Sequence, residues 1–196
     1  MSNYFYRGNF KKYSNSVYIH DGRVMLNEMY HSDRKKTTVF FSHKHSDLEE
    51  LRQIIGFLEK EYDIDGYIDS KDRDMPNHIS EETALRLKTK IKMYEKFILL
   101  ATNDAIKSCW CNWELGLGDA YKYKDNIAIF PVNDFGSEYK GNEYLEIYPH
   151  IVERKSGDKY NDGTQIIPGY YVRYKYENNY RLIELSKWLK GGELHG

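Results

Sequence analysis

In "SCWCNWELG", Ser108 to Gly116, Trp110 and Glu114 stand four positions apart, so a helix over this stretch carries both on one face. A plain core helix would offer Leu or Ala there. A carboxylate in such a place can meet positive charge or take a proton, and an aromatic face can hold a ring. The bland alternative is a half-buried Trp beside a surface Glu. Other spacings offer less. His43, His45 and Asp47 have the donor types of a metal site, but no further ligand cluster has a recognised spacing. Loop residues ahead of a helix cap account for them equally. Cys109 and Cys111 form C-x-C, not the C-x-x-C of a redox pair. Asp69, Asp72 and Asp74 lack the remaining ligands of a calcium loop. Gly116 and Gly118 follow no strand and lack a third glycine, so close helix packing explains them better than a dinucleotide-binding loop. No metal or cofactor is expected.

The elements around these residues alternate. "TTVFFS", Thr37 to Ser42, is a short β-branched and aromatic run suited to a strand buried on both faces. Ser46 and Glu49 then have capping-box spacing, and Leu48, Leu51, Ile55, Leu58 and Tyr62 mark an amphipathic helix. "GYID" (Gly66 to Asp69) reads as a second strand and "SKDRDMPNHIS" as a polar loop. A helix follows from Ser80 through Ala84, Leu87, Ile91 and Tyr94, and then a third strand, "FILLA", Phe97 to Ala101. The segment from Ser108 to Tyr123 is helical with Ser108 as its N-cap, and "IAIFPV", Ile127 to Val132, makes a fourth strand. "YYVRYKY" (Tyr170 to Tyr176) is expected to be a last strand. Leu182, Leu185 and Leu189 mark a closing helix stopped by Gly191 and Gly192. Strand and helix in alternation predict a mostly parallel, doubly wound α/β sheet, whose ligands bind beyond the carboxyl ends of the strands. The loop leading to Trp110 and Glu114 lies at that edge.

Bulk properties narrow the function. A chain of 196 residues suits one domain, and residues 1–36, polar and Tyr-rich, read as an extension packed on it. A net charge of −1 gives no basic field of the kind nucleic-acid binding uses. No apolar run approaches the length of a membrane span, and the N-terminus has no signal-like apolar region. The expectation is a soluble cytoplasmic protein with reduced thiols, binding neither nucleic acid nor membrane.

Three stretches together, "VFFSHKHSD", "GYIDSKDRD" and "SCWCNWELG", resemble a bacterial Toll/interleukin-1 receptor (TIR) domain. The resemblance runs from about Thr37 to Asp134, and the S-x-W-C-x-x-E pattern is its most specific part. It implies a TIR domain over 37–190, with core motifs over 37–134 and a family-specific part over 135–190. It also implies a flavodoxin-like sheet of five parallel strands with N- and C-terminal extensions. Many members cleave the bond between nicotinamide and ribose in NAD, using the glutamate that maps onto Glu114. The resemblance makes Glu114 the catalytic residue and NAD the substrate, with Trp110 holding the nicotinamide or its ribose. Ser42, His43 and Lys44 would line the same pocket, Lys44 facing a phosphate, with Asp69 and Arg73 from the second loop. Small standalone members resemble the signal-producing subunit of Thoeris anti-phage systems. That implies a cyclic or conjugated ADP-ribose made for a separate effector, a phage component as trigger, and self-association on activation. A catalytically silent adaptor, an NAD-depleting hydrolase and a nucleoside deoxyribosyl transferase are the rival readings. The second loop departs from the family pattern, reading "DMPNHIS" where Gly and an aromatic are common.

Overall fold

A computed structural model describes residues 4–20, 23–26, 36–68 and 80–194. Its strands are β1 (Phe5–Tyr6), β2 (Val17–His20), β3 (Arg23–Leu26), β4 (Thr37–Ser42), β5 (Ile64–Ile68), β6 (Lys96–Ala101), β7 (Ile127–Asn133), β8 (His150–Arg154), β9 (Gly169–Tyr176) and β10 (Asn179–Glu184). The helices are α1 (Leu48–Tyr62), α2 (Glu81–Met93), α3 (Cys109–Lys122) and α4 (Leu185–Leu189).

Five strands run parallel, in the order β5-β4-β6-β7-β8. Ranked along the chain this is 2-1-3-4-5, the flavodoxin-like order. Antiparallel strands extend both edges, β3 and β2 beyond β5, and β9 and β10 beyond β8. The helices divide by direction of travel. The β4-to-β5 connection moves one way across the sheet, and its α1 packs on the face that carries Val39, Phe41, Ile98 and Leu100. The β5-to-β6 and β6-to-β7 connections move the other way, and their α2 and α3 pack on the opposite face with Phe40, Phe97 and Leu99. A single crossover hand requires this division. Strand alternation does the rest: Val39 and Phe41 face α1, so Phe40 and Ser42 face α3.

Three elements differ from the sequence expectation. The strand expected at Tyr170–Tyr176 forms as β9, but it is antiparallel and is followed by β10, and the fifth parallel strand is β8, which the sequence reading did not name. Leu182 belongs to β10, so the closing helix shrinks to Leu185–Leu189. The capping box at Ser46 does not form. A 3-10 turn spans His45–Asp47, and Asp47 takes the N-cap place of α1 without a capping hydrogen bond. Its carboxylate is turned instead toward Arg7 and Thr102. Ser80 and Ser108 do cap their helices, accepting from the amides of Thr83 and Cys111.

Residues before β4 are built into the core. β1 pairs in parallel with the end of β7, Phe5 opposite Val132, and Phe5, Phe10 and Tyr13 are buried against α1 and β7 aromatics.

Candidate active site

The direction of the connections reverses at the β4/β6 boundary, the switch point of the sheet. Neighbouring connections leave it in opposite directions, and ligands of doubly wound sheets bind there. Ser42 ends β4 and is buried, and its side chain points to the α3 face. Glu114 comes down from α3 to meet it. Its carboxylate is only 3 % exposed and accepts a hydrogen bond from the Ser42 hydroxyl through Oε2. A carboxylate so placed is held in one orientation, suited to stabilising positive charge that develops in a transition state.

The local sequence explains the approach. Cys111, Leu115 and Gly118 form the buried stripe of α3, and Glu114 sits on the same side. Gly118 lies one turn after Glu114, and a Cβ there would stand 3.1 Å from the Phe97 ring. The bare glycine lets α3 settle close to β6 and brings Glu114 within reach of Ser42. Gly116, by contrast, is exposed, with nothing near its missing Cβ. Close packing therefore explains one of the two glycines. Trp110, one turn before Glu114, is half-buried, packs against the α3-face core, and has its ring 5.0 Å from that of Trp113.

The other expected residues separate. His43 is buried, and burial, helped by the nearby His45, pushes its imidazole down to about 4. It is neutral at physiological pH. Lys44 is half-buried and its Nζ lies 3.5 Å from Asp104, joining the loops after β4 and β6. That pair is exposed enough to contribute under about 1 kcal/mol, so it leaves Lys44 available to an anion. Asp69 and Arg73, with the rest of the second loop, lie outside the described residues. His43, His45 and Asp47 do not converge: His45 is exposed, and Asp47 is occupied by Arg7 and Thr102. Among the described residues, no group of three His, Cys, Asp or Glu side chains is arranged to hold a metal ion.

Sequence reasoning missed the supports of this edge. Asp47 Oδ1 accepts from Arg7 Nη2 at 2.5 Å and Oδ2 from Thr102 Oγ1 at 2.7 Å. Asn103 holds the loop after β7, donating to the Glu138 carbonyl at 2.9 Å and accepting from the Lys140 amide at 2.9 Å. The Tyr144 hydroxyl donates to Asn112 on α3 at 2.6 Å. Each partner pair is separated by more than thirty residues, and no local spacing marks them. An open cleft of about 310 Å³ near Arg154, Tyr160 and Tyr180 shares no residue with the Ser42–Glu114 pair.

The parallel-strand order defines a flavodoxin-like α/β fold, consistent with that of TIR domains, with a buried carboxylate at its switch point. No family model matches the chain. It is similar to a curated protein of Bacillus cereus (strain MSX-D12), the probable 3' cyclic ADP-D-ribose synthase ThsB'. The two are 29% identical over 119 residues, which is 59% of this chain and 60% of that protein's length. The fold and this likeness point the same way, toward a resemblance to ThsB-like TIR proteins. No helix among the described residues is long and apolar enough to cross a membrane.

Proposed function

We propose that this protein cleaves the nicotinamide–ribose bond of NAD and closes the remainder into a cyclic or conjugated ADP-ribose. A separate effector in anti-phage defence would read that product. The observation that carries the reading is the buried Glu114 carboxylate, held by Ser42 at the switch point. The name of the Bacillus cereus relative, a probable cyclic ADP-ribose synthase, supports the cyclic product.

In the reaction, the bond between the ribose carbon and the nicotinamide nitrogen breaks, and its electron pair leaves with nicotinamide. The ribose becomes oxocarbenium-like. Glu114 stabilises that charge, and Trp110 presents an apolar face that orients the ring and excludes water. A hydroxyl or ring nitrogen of the same molecule, giving the cyclic product, or a nucleophile of a second molecule, giving the conjugate, then attacks the cationic carbon. Where the nucleophile is a hydroxyl, its proton passes to Glu114 or to solvent. Ser42 orients the carboxylate, neutral His43 lines the wall without adding charge, and Lys44 exchanges Asp104 for a phosphate. Asp69 and Arg73 would join from the second loop. NAD is substrate throughout, and no bound cofactor takes part.

Residues 37–190 would form the catalytic domain, acting in the cytoplasm after a phage component triggers self-association. Activity per molecule should then rise with protein concentration. Strict proportionality from a monomer contradicts that part. Incubation with NAD and mass analysis of the companion product tests the whole reading. A product lighter than ADP-ribose by one water supports cyclisation, and ADP-ribose alone supports a hydrolase.

A further inference from the structure

The guanidinium of Arg7, just after β1, joins two carboxylates from different loops. Nη2 donates to Asp47 at 2.5 Å and Nε to Asp134 at 2.5 Å. Asp47 closes the 3-10 turn after β4, its amide donating to the Lys44 carbonyl at 2.8 Å. Its second oxygen accepts from Thr102, the residue after β6, whose Oγ1 in turn accepts from the Ala105 amide at 3.0 Å. Asp134 follows β7 directly. One side chain from the N-terminal segment therefore ties together the loops after three adjacent parallel strands. Two of those loops flank the Ser42–Glu114 pair.

The tie is built to hold. Asp47 is 1 % exposed, and removing a hydrogen-bonding partner from a side chain so buried is costly. Burial opposes the Arg7 charge, but the hydrogen bonds to Asp47 and Asp134 outweigh it and raise the guanidinium above its ordinary range. The segment itself is anchored on both sides of Arg7. Before it, β1 pairs with β7; after it, the Gly8 amide donates to Glu50 at 3.0 Å and the Phe10 ring packs, tilted, against Phe57 with centroids 4.5 Å apart. A planar fork spans two carboxylates in a way a single ammonium cannot.

We propose that Arg7 is a positioning residue for the Glu114 site, fixing the β4 and β6 loops so that Ser42 and Lys44 stand correctly at the switch point. This rests on the reading of Glu114 given above. Small displacements of positioning groups cost rate steeply, so a drop in kcat of about tenfold or more is expected when the bridge is lost.

The test compares wild type, Arg7→Gln, Arg7→Lys, Phe10→Leu and Glu114→Gln. Phe10→Leu weakens the packing of the same segment while leaving the bridge in place. Residue-resolved hydrogen exchange is followed at the amides of Asp47 and Ala105, and nicotinamide release is normalised to folded protein. Both Arg7 variants should exchange faster at those two amides and lose kcat. Phe10→Leu should lower the melting temperature with neither effect. Unchanged exchange in Arg7→Gln overturns the proposal, as does a kcat within twofold of wild type in an active enzyme. Wild type that releases no nicotinamide sinks the reading of Glu114 instead, and the exchange comparison still decides whether Arg7 holds the loops.

Discussion

Ser42, the last residue of β4, donates its hydroxyl proton to Glu114 of α3 across 72 positions of sequence, with both side chains buried. Strand alternation turns Ser42 toward α3, and the close approach at Gly118 brings α3 down to meet it. Removing the hydroxyl while keeping the fold isolates its effect. Ser42→Ala should lower nicotinamide release by about tenfold, the kinetic equivalent of one lost hydrogen bond to a buried carboxylate. Steady-state rates with NAD check this, and an unchanged kcat would remove Ser42 from the site.

Trp110 is half-buried, so its truncation should be felt in substrate binding more than in folding. Trp110→Ala should raise KM about three- to tenfold, and Trp110→Phe should restore most of it, since ring contacts contribute about 0.5–1.5 kcal/mol. Initial rates over a range of NAD concentrations separate KM from kcat.

The two glycines of α3 should answer substitution with opposite signs. Gly116→Ala meets open space and removes a helix-interior glycine, so it should stabilise the protein by about 0.5–1 kcal/mol. Gly118→Ala drives a methyl against the buried Phe97 ring and should destabilise by about 1–3 kcal/mol. Lifting α3 also withdraws Glu114, so turnover should fall with Gly118→Ala alone. Urea unfolding of both variants, with activity on the same samples, reads the contrast.

His43 makes stability depend on pH. Burial pushes its imidazole from 6.5 down to about 4, so on acidification the unfolded chain takes up the proton first. The stabilisation from neutral His43 is complete above 6.5 and is lost as pH falls toward 4. Between pH 7 and pH 5 wild type should lose on the order of 1–2 kcal/mol more stability than His43→Asn. Denaturant titrations at the two pH values test it. An equal loss in both proteins would show that the His43 ring bears no part of the acid sensitivity.

The parallel core was legible because its strands are short apolar runs separated by amphipathic helices. Val39–Phe41, Phe97–Ala101 and Ile127–Phe130 admit little else. The C-terminal edge was not. "HIVER" is five residues with two charges, too short to declare a strand. The β9–β10 hairpin turns through Glu177 at φ 52°, where the usual signal is Gly or Asn. Leu182, Leu185 and Leu189 have helical spacing, yet the first lies in a strand paired opposite Arg173. At the site, the Trp110–Glu114 spacing was visible because one helix carries both. The partnership with Ser42 and the Arg7–Asp47–Thr102 chain depend on long-range pairing, which no local pattern records.

The proposed chemistry turns on one carboxylate, that of Glu114. Purified wild type and Glu114→Gln, incubated with NAD at low and high protein concentration, should be compared by liquid chromatography with mass spectrometry, after matched melting curves establish that both are folded. Wild type should release nicotinamide, and the variant should lose at least about 10²-fold of that rate. Equal nicotinamide release from a folded Glu114→Gln protein would show that Glu114 is not the catalytic carboxylate.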